Sequence, residues 1–168
     1  LLNFKILIQK YPLLKSLTNN YDYSFKKKYL LKFKKYDEFN LIGMGGSILG
    51  AQAIYDFLDN KIRKKFYFYN NLQNFKIIKS NKKRLNIIIS KSGNTLETLS
   101  NFNLILTKQK KNKNLIITEN KNNILRAMAN KLKSDVIDHK NYIGGRYSVL
   151  SEVGMVPAEL MGLNEKKI

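Results

Sequence analysis

A short β-branched run, Ile87-Ile88-Ile89, stops abruptly at a loop of hydroxyls, one lysine and one glycine, Ser90-Lys91-Ser92-Gly93-Asn94-Thr95. Helical spacing starts at once with Leu96 and continues through Leu99, Phe102, Leu104, Ile105 and Leu106. An unbroken apolar run of this length fits a strand buried on both faces, and such strands belong to parallel sheets covered by helices. The same pattern recurs along the chain. Strands are predicted near 41–44, 66–69, 85–90, 114–118 and 135–138, separated by helices over 48–58, 72–79, 95–108 and 123–133. Strands alternating with helices at this interval imply right-handed crossovers. The expectation is therefore an α/β fold, a three-layer sandwich built on a five-stranded parallel sheet. Its expected strand order is the flavodoxin-like 2-1-3-4-5, with the switch point between the first and third strands.

That order has a chemical consequence. Open α/β sheets bind ligands outside the carboxyl ends of their strands, at the switch point. The loop at 90–95 sits where a strand ends and a helix begins, so free N–H groups of the helix's first turn face it and the helix dipole favours negative charge there. Ser90, Ser92 and Thr95 add hydroxyl donors, Lys91 adds charge, and Gly93 lets the backbone curl closely. The same residues also fit an ordinary strand-to-helix turn, with Asn94 or Thr95 as N-cap and Glu97 favourable in the first turn. A second loop, Gly43-Met44-Gly45-Gly46-Ser47, follows the first strand, and Ser47 stands where it can cap the next helix. It lacks the third glycine of a dinucleotide fingerprint and the Gly-Lys-Ser/Thr ending of a P-loop. The expected strand order sets it beside 90–95, so two anion-friendly turns converge on one crevice.

Composition narrows the chemistry. There is no cysteine and one histidine, His139, so neither a disulfide framework nor a Cys- or His-based metal site is expected. His139 closes the last predicted strand and reads as a structural residue. No apolar stretch is long enough to span a bilayer and no secretory signal is evident, so a cytoplasmic protein without membrane partners is expected. The formal charge of +19 would suit nucleic-acid binding. The lysines are scattered through connectors, however, and Lys, Asn and Ile are enriched together, as an AT-rich coding sequence gives. No nucleic-acid partner is expected. Residues 1–36 read as a peripheral helical region ahead of an α/β domain at 37–168. Leu1, Phe4, Leu7 and Ile8 share a face before Pro12 interrupts, and a second basic helix runs through Phe25, Tyr29, Leu30 and Phe33.

Gly43-Met44-Gly45-Gly46-Ser47-Ile48-Leu49-Gly50, Ser90-Lys91-Ser92-Gly93-Asn94-Thr95-Leu96-Glu97-Thr98 and Gly144-Gly145-Arg146-Tyr147-Ser148 occur in this order and at a characteristic spacing. Together they resemble the glucose-6-phosphate isomerase family, over about residues 39–163, the N-terminal sugar isomerase (SIS) domain of such enzymes. The resemblance implies reversible exchange between glucose 6-phosphate and fructose 6-phosphate through a cis-enediolate, with no cofactor. It implies that Ser90, Lys91, Ser92, Gly93, Asn94 and Thr95, with Gly46, Ser47 and Gly145, bind substrate, chiefly its phosphate. It assigns Arg146 to the enediolate; a fixed, always-charged guanidinium suits a developing oxyanion.

The resemblance also implies a homodimer. The family's glutamate base, ring-opening histidine and late lysine lie beyond the matched region, and Glu97, Glu152 and Glu159 do not match the base. The chain, opening on Leu1 rather than methionine, is thus expected to be an inactive piece of a longer isomerase. A stand-alone regulatory module that binds a phosphosugar is the alternative.

Overall fold

The computed structural model describes residues 2–72, 82–109 and 111–164. Five parallel strands, β1 (Glu38–Gly43), β2 (Lys65–Tyr69), β3 (Arg84–Ile89), β4 (Lys113–Glu119) and β5 (Asp135–His139), pair in the order β2-β1-β3-β4-β5. This is the expected topology, with strand positions shifted by at most a few residues from those predicted. Register is set by the buried aliphatic rows. Leu41 pairs with Ile87 and Ile87 with Leu115, while one step on Ile42, Ile88 and Ile116 align on the opposite face.

Successive residues of a strand point to opposite faces, so each row feeds a different layer. On one face Leu41, Ile87, Ile89, Leu115 and Ile117 pack with α3 (Leu49–Phe57) and α6 (Glu152–Met161). On the other, Ile42, Ile88 and Ile116 pack under Phe102 and Ile105 of α4 (Leu96–Lys108) and Leu125 and Ala129 of α5 (Ile124–Leu132). The helix expected over 72–79 falls, from residue 73 on, outside the described residues.

The N-terminal region is helical in short pieces: α1 (Leu2–Lys10), a 3-10 turn at Pro12–Leu17, and α2 (Lys27–Leu30) running into a 3-10 turn at Leu31–Phe33. Pro12 opens the first of these turns, where its missing N–H costs nothing. Phe4, Ile6 and Leu7 of α1 remain exposed, whereas Phe25, Leu30, Phe33 and Tyr36 join the core of the α3–α6 face. This segment leaves α6 buried along its whole length. Glu152, at the start of α6, is fully buried and accepts hydrogen bonds from the Tyr21 hydroxyl (3.1 Å) and the Ser24 N–H (2.8 Å). Glu159 is tied to Lys34 at 2.8 Å.

A polar seam crosses the α4 face near the amino ends of the strands. Asn40, Asn86 and Asn114 sit opposite one another in register, and their amides form a relay: Asn40 Nδ2 donates to Asn86 Oδ1 and Asn86 Nδ2 to Asn114 Oδ1, each at 2.8 Å. Gln109, just past the end of α4, accepts from Asn40 at 2.9 Å and from Asn112 at 2.8 Å. The seam fixes where α4 ends and, through it, where α4 begins at the opposite edge of the sheet.

Candidate functional site

Gly43, the last residue of β1, lies opposite Ile89, the last residue of β3. The two loops singled out in the sequence therefore leave neighbouring strands at the same height. In the first, Gly45 takes φ +52° and the chain makes a 3-10 turn over Gly45–Ser47. Ser47 closes this turn through its own N–H on Met44 O (3.1 Å); the expected side-chain cap is absent, since α3 starts one residue later behind Ile48.

In the second loop Gly93 takes φ +69°, and a Cβ there would fall 2.1 Å from Asn123 Oδ1, so both backbone sign and space require glycine. The hydroxyls turn toward one another. Ser90 Oγ, buried, lies 3.0 Å from Thr95 Oγ1 and accepts the Gly93 N–H at 3.2 Å. Ser92 Oγ, exposed, lies 3.4 Å from Thr95 Oγ1 and accepts the Asn94 N–H at 3.2 Å. Asn94 points away, its Oδ1 accepting from Ile124 N–H at the start of α5 (3.0 Å). Thr95 holds the N-cap position of α4, but its hydroxyl serves the two serines, and neither it nor Asn94 caps the helix. Glu97 lies in the first turn, as expected. Helix N–H groups without a side-chain cap, beside three clustered hydroxyls, make a cradle suited to a phosphate-sized anion.

Lys91 stands apart from its neighbours. Its Nζ donates to Asn141 O at 2.8 Å and pairs with Glu119 Oε1 at 3.4 Å, over the β4–β5 side of the edge. Glu119 ends β4, is 6% exposed, and also pairs through Oε2 with Lys121 at 2.5 Å. Burial alone would raise its pKa; the ammonium groups of Lys121 and Lys91 outweigh burial and hold it below the ordinary carboxylate value. The sequence reading missed Glu119. The available signal was its place at the carboxyl end of a strand, level with the loop that follows β3.

The third motif closes the arrangement. After β5 the chain crosses the carboxyl edge and makes a 3-10 turn at Gly145–Tyr147 against the turn after β1. A Cβ on Gly46 would fall 2.1 Å from Gly145 O, and Ser148 Oγ lies 2.6 Å from Gly145 O and 3.2 Å from Gly46 O. Backbone on backbone, the two glycine turns lock together and set the root of Arg146 beside the first loop. The Arg146 side chain is exposed. A salt bridge to the start of the last helix, the structural alternative for this arginine, is not formed: Glu152 there is occupied by Tyr21 and Ser24. Among the described residues Arg146 pairs with no carboxylate. His139 is buried and its Nδ1 lies 2.8 Å from Lys140 O, as a structural histidine should be.

The family model for phosphoglucose isomerase matches residues 14–166. The chain belongs to the phosphoglucose isomerase family. It is 36% identical over 141 residues to glucose-6-phosphate isomerase of Methanocaldococcus jannaschii, covering 79% of this chain and 35% of the relative. It is likewise 36% identical over 153 residues to glucose-6-phosphate isomerase of Mycoplasma genitalium, covering 82% of this chain and 36% of that protein. The chain thus spans about a third of the length of the curated relatives it matches. Among solved structures, a hypothetical protein of Thermus thermophilus superposes with a TM-score of 0.75 at 24% identity, covering 91% of this chain and 39% of that one. Tagatose-6-phosphate ketose/aldose isomerase of Escherichia coli superposes with a TM-score of 0.64 at 15% identity, covering 95% and 45%. These superpositions show a shared SIS-type fold, built here on the five-stranded parallel sheet.

Proposed function

We propose that this chain supplies the phosphate-binding and enediolate-stabilising part of an isomerase that interconverts glucose 6-phosphate and fructose 6-phosphate. The observation that carries the reading is that two motif turns leave the carboxyl ends of the paired strands β1 and β3 at one height, with the third turn packed on the first. Among them are an uncapped helix start, clustered hydroxyls and an arginine that no described carboxylate claims. In this reading Ser90, Ser92, Gly93 and Thr95, with Ser47, Gly46 and Gly145 alongside, receive the phosphate of an open-chain sugar. Lys91 and Asn94 border that cradle, and Arg146 faces the carbons between which the proton moves. Phosphate binding far from the reacting carbons serves orientation, which lowers the barrier without taking part in bond making.

None of the glutamates on the described helices is placed to act as the base. Glu152 and Glu159 are buried in α6 and held by hydrogen bonds or ion pairs, and Glu97 opens α4. The chain alone is therefore expected to bind substrate without turning it over. A cytoplasmic location and a homodimer belong to the same reading; the exposed apolar residues of α1 support an association surface, and no described helix is long and apolar enough to cross a membrane.

Thermal unfolding tests the reading. Fructose 6-phosphate at millimolar concentration should raise Tm, because a ligand bound only by the folded state stabilises it by mass action, and fructose should not. Replacing Ser92 and Thr95 together by alanine should abolish the shift. An unchanged shift in that variant removes the assignment of the site.

A further inference from the structure

Lys91 is the one cationic side chain in the cradle loop, and in this structure its ammonium is held on the far side of that loop. Its main chain is pinned: Lys91 O accepts from the Glu119 N–H (3.2 Å) and the Thr118 hydroxyl (3.3 Å). Its side chain reaches over β4 to the Glu119 carboxylate and to Asn141 O. A cavity of about 550 Å³ opens on this side, lined by Glu119, Lys121, His139 and Asn141. A buried carboxylate left with no partner is costly, so one cation serving Glu119 would be locked in place. Two cations serve it here. Lys121, with a side chain 55% exposed, holds Oε2, while Lys91 holds Oε1.

We infer that Glu119 is a positioning residue for the anion site: it parks the Lys91 ammonium on the β4–β5 side and, with Lys121 left as its partner, releases it when an anion enters the Ser90–Thr95 loop. This rests on the reading of that loop as the phosphate site. The four-carbon stem and rotatable ammonium of lysine permit the swing, which an arginine fork would not make as readily. The ion pair competes with the anion for one ammonium, so weakening the pair strengthens anion binding.

The test is calorimetric titration of inorganic phosphate and of fructose 6-phosphate into the wild-type chain, Glu119→Gln, Lys91→Met and the double variant. Glu119→Gln should tighten binding on the order of threefold to fivefold, the size expected for a partly exposed ion pair. The gain should vanish in the Lys91→Met background. Lys121→Met should weaken binding, because Glu119 then depends on Lys91 alone, and that loss should also vanish without Lys91.

A gain that persists in Lys91→Met reflects only the removed negative charge and overturns the inference, as does a loss of affinity in Glu119→Gln. Should Glu119→Gln fail to fold, Glu119→Asp keeps the buried charge but withdraws it, and the same cycle applies. If Lys91→Met leaves affinity unchanged while Ser92→Ala with Thr95→Ala abolishes it, Lys91 is not used and the inference falls alone. If neither change weakens binding, the reading of the loop itself fails.

Discussion

His139 shows how burial converts a single side chain into a pH dependence. Burial lowers its pKa below the ordinary histidine value, and the hydrogen bond to Lys140 O only partly opposes this. The unfolded chain, with the ordinary value of about 6.5, then binds more protons than the folded one in the window just below it. Stability from this residue is complete above that value and is lost as pH falls through the folded-state value. Tm should therefore fall on acidification from about pH 7.5 to about pH 5, and His139→Asn should flatten the profile. An equally steep profile in that variant assigns the effect to another group. The residue was legible in the sequence as a strand-end structural histidine, because a lone histidine offers no partner for a metal. Glu119 was not legible: nothing in Thr118-Glu119-Asn120 announces that two lysines, one of them in the loop after the preceding strand, converge on one carboxylate. Ion pairs between loops depend on strand order and on side-chain reach, and periodicity carries neither.

At the level of elements, the strands were readable because their apolar runs are buried on both faces, and α4 and α5 because their apolar residues recur at helical spacing. The caps were less readable. Thr95 has the right identity for an N-cap and the right position, yet its hydroxyl serves Ser90 and Ser92. A hydroxyl among other hydroxyls has several partners to choose from, and the choice is tertiary. The asparagine seam is an intermediate case. Asn40, Asn86 and Asn114 each sit among apolar residues of their strands, a pattern visible in the sequence, but their mutual contact follows only from register. Asn86 bridges the other two, so Asn86→Leu, similar in volume, leaves the buried Asn114 carbonyl without its donor. The expected cost is about 1–3 kcal/mol, read by urea denaturation. A cost below about 0.5 kcal/mol would mean that Gln109 and Asn112 re-pair the seam unaided.

Across the whole molecule, 31 basic residues face 12 acidic ones. Like charges distributed over a small surface repel, and compaction brings them closer. Raising sodium chloride from about 20 mM to about 300 mM shortens the screening length and should raise Tm by a few degrees. The same change should weaken phosphate binding, so the two trends run in opposite directions. A Tm that falls with salt would indicate that the surface ion pairs outweigh the repulsion.

The strap from β5 to α6 has a consequence for the order of events during folding. Ser148 meets Gly46 across 102 residues of sequence, and the same docking of the two glycine turns brings Arg146 to the first loop. Closing so long a loop is entropically costly and is repaid only by contacts made afterwards, so such pairings form late. No early intermediate holding β1 to β4 alone contains the whole of the proposed anion site. During refolding, capture of the proposed phosphate ligand should therefore lag behind the appearance of secondary structure, and the lag times the final docking of α6.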